Sequence, residues 1–206
     1  MKTPGSILII ACGALAHEIT ALKRLNGWDH VDLQCLRADL HNHPQKITGA
    51  IKEQIDKAKG NYDRIYVGYA DCGTGGRLDA LLESEQIERL PGAHCYEFFA
   101  TRRVFNELSE AELGTLYLTD YLTRHFDRII IKGFGLDRHP DIQAMMFANY
   151  RKLVYLSQVQ DDALIEQARK AADRLDLEFE HRHTGYGELE SSLNMLVSNP
   201  FLPDNV

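Results

Sequence analysis

Ser6-Ile-Leu-Ile-Ile-Ala11, followed at once by Cys12-Gly13, is the stretch that decides how the chain folds. An unbroken apolar run suits a strand covered on both faces, and strands of that kind belong to parallel sheets. Leu15, Ile19, Leu22 and Leu25 then fall on one helical stripe, stopped by Asn26-Gly27. Val31 to Leu36 alternates as a second strand. Pro44 opens a second amphipathic helix along Ile47, Ile51, Ile55 and Ala58, with Gly60 as its stop, and Arg64 to Ala70 reads as a third strand.

The alternation continues towards the C-terminus. A short helix is expected around Leu78, Leu81 and Leu82, an extended piece near Leu90, a helix from Phe98 to Leu108 and a strand from Gly114 to Leu118. Thr119 to Gly135 fits both periods: Ile129-Ile-Ile131 resembles a strand, but Leu122, Phe126, Ile129, Ile130 and Phe134 keep helical spacing, which favours helix. A helix over Asp141–Lys152, a strand over Leu153–Ser157, a helix over Asp161–Leu175, a strand over Leu177–Arg182 and a helix over Gly187–Val197 complete the pattern. Strands alternating with helices predict an α/β protein, here a single Rossmann-like three-layer domain over residues 1–197 with a mainly parallel sheet, and a flexible tail over 198–206.

Composition narrows the function classes. A formal charge of −7 and no basic run argue against nucleic acid and anionic membrane as partners. The apolar run after Ser6 is too short for a signal peptide, and no stretch reaches the ~18 apolar residues of a membrane span. A cytoplasmic protein is expected, with Cys12, Cys35, Cys72 and Cys95 as thiols.

Three of these thiols hold places where ligands gather in open α/β sheets, beyond the carboxyl ends of strands. Cys12 follows the first strand, Cys72 follows the third, and Cys95 lies in the next loop. Cys35, mid-strand and in phase with Val31 and Leu33, reads as packing. Three thiolates suit a soft metal such as zinc, or an iron–sulfur cluster, with His94, Asp71 or Tyr69 as a fourth ligand or a supporting partner. Helix N-termini behind the thiols would lower their pKa values. No Cys-x-x-Cys pair is present, so no zinc-ribbon spacing applies.

Gly13, Gly73, Thr74 and Gly75 leave backbone room beside two of the sulfurs for a cofactor or substrate. Asp71-Cys-Gly-Thr-Gly-Gly-Arg77 could cradle a phosphate with Arg77 as counter-charge, although a tight turn accounts for its glycines equally well. The pairs His41/His43 and His181/His183 have strand spacing for a shared metal but no evident third ligand, and read as solvated polar residues.

Ile9-Ile-Ala-Cys-Gly13, Val67-Gly-Tyr-Ala-Asp-Cys-Gly73, Pro91-Gly-Ala-His-Cys95 and Gly114-Thr-Leu-Tyr-Leu-Thr119 together resemble the domain-of-unknown-function family numbered sixteen thirty-eight, from Ile7 to about Leu196. The resemblance implies a Rossmann-like fold in bacteria and methanogenic archaea, with genes often beside corrinoid-dependent methyltransferases. Its motif cysteines fall on Cys12, Cys72 and Cys95. The direct adjacency of His94 and Cys95 departs from the family's archaeal form, which bears on His94 more than on Cys95.

The leading expectation is therefore a metal- or iron–sulfur-binding accessory protein or enzyme of corrinoid-linked one-carbon metabolism. It would work with a corrinoid protein or methyltransferase, through which a corrinoid could reach the site. One alternative is a non-catalytic module for a small molecule, a phosphate or a corrinoid tail. Another is a metal-free thiol enzyme in which a histidine serves as base.

Overall fold

A computed structural model describes residues 5–198, so most of the expected tail, 199–206, lies outside the described residues. The protein is α/β, and every strand pairing is parallel. The strands fall into two sheets within two compact units: residues 5–94 with 188–198, and residues 95–187. Sequence alternation led us to expect one sheet, because strand–helix periodicity shows that strands exist but not which of them share a ladder. No described helix is long and apolar enough to cross a membrane.

In the first unit, β1 (Ile7–Cys12) is buried along its whole length. It pairs with β2 (Val31–Leu36) on one side and β3 (Arg64–Gly68) on the other, and β4 (Glu88–Arg89) closes the order β2-β1-β3-β4. The register sets Ile7 opposite Val31 and Arg64, and Ala11 opposite Cys35 and Gly68. Gly68 has a packing reason: a Cβ there would lie 2.8 Å from the Ala11 Cβ.

Helix α1 (Ala16–Asn26) ends as expected, with Gly27 at φ 64° and the Trp28 amide donating to the Lys23 carbonyl. Leu15, Ile19 and Leu22 are buried, but Leu25 is 74% exposed. Helix α2 (Pro44–Ala58) buries the Ile47, Ile51, Ile55 and Ala58 stripe, each isoleucine worth about 1.5–3 kcal/mol. Helix α3 (Arg77–Glu85) and a C-terminal helix, Leu189–Ser198, complete the unit.

The second unit begins with α4 (Cys95–Ala100) and α5 (Arg102–Ala111). The single helix expected here is broken at Thr101, whose φ of 64° is incompatible with helix and whose hydroxyl caps the Val104 amide. The sheet is β5 (Thr115–Leu118), β6 (Lys152–Ser157) and β7 (Glu178–His183), in that order. Residue 152 thus opens a strand and does not close a helix. On one face Tyr96, Phe105 and Tyr117 pack ring against ring.

The other face carries α6 (Asp120–Arg124), α7 (Pro140–Phe147) and α8 (Asp162–Leu175). Here Leu122, Phe126, Ile130, Leu153, Leu164 and Ala168 are part of one core. The ambiguous segment is helical, as its spacing favoured. Asp127–Ile131 forms a π-helical turn in which the Lys132 amide reaches back five residues to the Asp127 carbonyl, at 2.8 Å.

Candidate functional site

In the first unit, β1 and β3 end side by side, and their carboxyl ends carry Cys12 and the loop containing Cys72. Cys12 is 9% exposed. Burial, first of all, pushes its thiol up to about 11; the Ala14 backbone N–H works against that, and the neighbouring Cys72 and Cys35 add to it. The lowered pKa expected from a helix N-terminus is therefore reversed at Cys12, because desolvation outweighs one backbone donor.

Tyr69 lies beside these thiols. Its hydroxyl is buried and lacks a well-formed hydrogen bond, and its contact with the Cys12 sulfur is the weak kind a thiol makes. Burial and the charges of Cys12, Cys72 and Cys35 all disfavour the phenolate. Cys35, expected to be packing alone, is half-buried opposite Ala11 and near enough that its charge would be felt by both Cys12 and Tyr69. Only the sheet register reveals that proximity.

The loop after β3 is folded around its own acid. The Asp71 carboxylate accepts from the Thr74 hydroxyl at 2.6 Å, the Gly75 amide at 3.2 Å and the Gly76 amide at 3.0 Å. The Thr74 hydroxyl and these amides, with that of Gly73, bring its pKa down to about 2. Asp71 thus occupies the place that a bound phosphate would take, and Arg77 is turned onto the Thr74 carbonyl at 2.9 Å.

Thr74 is fully buried, and Cys72 is held at φ 48° with its amide donating to the Ala93 carbonyl at 2.8 Å. The room expected at Gly13 is filled by the chain itself, since a Cβ there would lie 2.7 Å from the Leu36 carbonyl oxygen. A Cβ on Gly73 would touch Pro44 at 3.4 Å, which sets this loop beside the start of α2.

His41, just before α2, is largely buried. Burial, then the nearby charge of His94, hold its imidazole below the ordinary range. His94 is exposed and lies near His41, while Cys95 opens α4 in the second unit. The structure therefore brings Cys12, Cys72, Cys35 and Tyr69 together and sets His41 near His94. Among the described residues, no group of three or more His, Cys, Asp or Glu side chains stands ready to hold a metal ion.

The second unit has its own polar cluster at the carboxyl edge of its sheet. Asp120, 1% exposed at the start of α6, accepts from the Tyr155 hydroxyl at 2.7 Å and from the amides of Gln158 and Val159 at 3.0 and 3.1 Å. Ser157, the last residue of β6, sits between the two imidazoles of β7: its Oγ is 2.9 Å from His181 Nε2 and 3.1 Å from His183 Nδ1. One hydroxyl proton serves only one ring, so the other ring must donate its own N–H to Oγ. His181 also stacks on Tyr155, with centroids 5.4 Å apart. The pair read as solvated is thus engaged; the signal was His-x-His at the end of a strand, which puts both rings on one face.

Fold and site define a parallel-stranded α/β protein with thiols at the carboxyl edge of one sheet. The chain belongs to the family described as "Protein of unknown function (DUF1638)", whose model matches residues 35–193; Cys35, Cys72, His94 and Cys95 lie inside the match and Cys12 before it. No curated protein and no solved structure matches the chain.

Proposed function

We propose that the protein binds a thiophilic metal, zinc or the iron of a cluster, at the Cys12/Cys72 edge, and that it serves methyl transfer linked to a corrinoid. The supporting observation is that Cys72, set beside Cys12 by the adjacent ends of β1 and β3, disfavours the Cys12 thiolate, with the buried Tyr69 hydroxyl lacking a full hydrogen bond beside them. A cation relieves both conditions, since it stabilises thiolates and accepts a phenol as neighbour.

In this reading the metal takes the thiol pair of Cys12 and Cys72 and leaves its other positions to further donors; no group of three or more His, Cys, Asp or Glu stands preformed among the described residues. Bound there, the metal would lower the pKa of a thiol acceptor and so ready it for a methyl group. Cys72 is positioned by the Asp71 turn, Cys12 by the end of a fully buried strand, and Tyr69 limits water at the sulfurs. The corrinoid setting rests on what the family resemblance implies.

Metal analysis and an absorption spectrum of anaerobically purified and reconstituted protein provide the test. About one equivalent of zinc, or a coloured cluster, is expected in the wild type and is lost in Cys72→Ser and Cys12→Ser. Metal-free wild type after reconstitution, with one thiol alkylating rapidly near neutral pH, would replace this reading with a metal-free thiol enzyme.

A further inference from the structure

The second unit contains a cavity of about 420 Å³ between the segment that runs from α6 through the π-helical turn and the outer face of α8. Five cations line it (Arg124, Arg128, Lys132, Lys170 and Arg174) against one carboxylate, Asp127. Such a concentration is unexpected in a chain with 30 acids and 23 lysines and arginines. Arg174 is paired with Asp127 at 2.6 Å, Arg128 donates to the Tyr121 hydroxyl at 2.9 Å, and Lys170 stands 3.6 Å from Glu166. Arg124 and Lys132 have no ion-pair partner among the described residues.

Backbone geometry adds a second observation. The π-helical turn Asp127–Ile131, a form that is rare and concentrated at functional sites, carries Asp127 and Arg128 and delivers Lys132 to the same cavity. The cavity is also lined by Phe126 and Ala171, which are 7% and 4% exposed and give it a small apolar element.

We propose that this cavity binds a small polyanion, an organic molecule carrying two or more phosphate or carboxylate groups. The guanidinium forks of Arg124, Arg128 and Arg174 match the paired oxygens of such groups, and the ammonium groups of Lys132 and Lys170 supply point charge. The site is independent of the thiol edge, and it requires no covalent chemistry.

Calorimetric titration of the full chain with pyrophosphate and, separately, with citrate at low ionic strength tests it. The two titrations distinguish a phosphate ligand from a carboxylate ligand, and binding of either supports the site. Affinity should fall by about tenfold or more for each cation removed in Arg124→Ala and Lys132→Ala, and should weaken as salt is added. Arg102→Ala/Arg103→Ala, at exposed positions of α5, should bind as the wild type does. Absence of binding by both anions, equal affinity in the Arg124→Ala/Lys132→Ala double variant, or an equal loss in the α5 control would overturn the proposal. All four substituted residues are exposed, so the variants should fold, and matching circular dichroism spectra would verify that.

Discussion

Replacing Asp71 by alanine removes the carboxylate around which the Cys72 loop is folded. Three bonds go with it, from the Thr74 hydroxyl and the amides of Gly75 and Gly76. Hydrogen bonds to a charged acceptor are worth about 1.5–3 kcal/mol each when shielded. This carboxylate is largely open to solvent, so its three bonds together should be discounted to about 2 kcal/mol. That corresponds to a roughly 30-fold larger population of open loop.

Native-state hydrogen exchange reads the change directly: the Gly75 and Gly76 amides should exchange about 30-fold faster in Asp71→Ala, with Asp71→Asn in between because it keeps one acceptor oxygen. Alkylation of Cys72 should accelerate in parallel. The pH dependence has a definite sign. A carboxylate with a folded pKa near 2 contributes its stabilisation fully above the ordinary carboxylate range and loses it as pH falls towards about 2, so the wild-type loop should be equally protected at pH 5 and pH 7. Exchange unchanged within about twofold in the alanine variant would refute the claim that Asp71 holds this loop.

The His181 imidazole is held below its ordinary range, by burial first and by His183 second, so the unfolded chain takes up its proton at higher pH than the folded one. Stability should therefore be complete above the usual histidine pKa and decline as pH falls through it, and His181→Gln should flatten that part of a melting-temperature profile, leaving a residual slope from His41. At Gly13, alanine would force a Cβ to 2.7 Å from the Leu36 carbonyl oxygen, a loss of about 1–3 kcal/mol and several degrees in thermal unfolding; an unchanged melting temperature combined with lost ligand binding would return Gly13 to the role of opening the backbone to a substrate.

Much of the fold was legible because local physics decided it. The apolar run Ile7–Ala11 suited a doubly covered strand, and the Ile47–Ile51–Ile55 stripe behind Pro44 suited an amphipathic helix. What the sequence did not show depends on pairing or on single backbone torsions. Thr101 breaks a helix that its neighbours favour, and nothing in Val67 or Leu153 says that β3 and β6 belong to different sheets. The segment 119–135 divided the two periods because a π-helical turn shifts the phase of the apolar residues partway along it.

The candidate site divides along the same line. That Cys12 and Cys72 follow strands was legible, a feature of the chain order that survives folding. The roles of Cys35 and Asp71 were hidden for different reasons. Cys35 comes near Cys12 only through the β1–β2 register, which a strand pattern leaves open by steps of two residues.

Asp71 illustrates a sharper difficulty. Glycine-rich turns whose amides converge are built alike whether the anion at their centre is a bound phosphate or the chain's own carboxylate, and both use the same residues at positions 73, 75 and 76. The discriminating feature is an acid one residue before the turn with a hydroxyl three positions after it, here Asp71 and Thr74, because that spacing closes the ring internally. A turn with such an acid is better suited to fixing a neighbouring side chain than to binding a ligand anion. In this protein the side chain so fixed is Cys72, which makes the loop a support for the thiol edge.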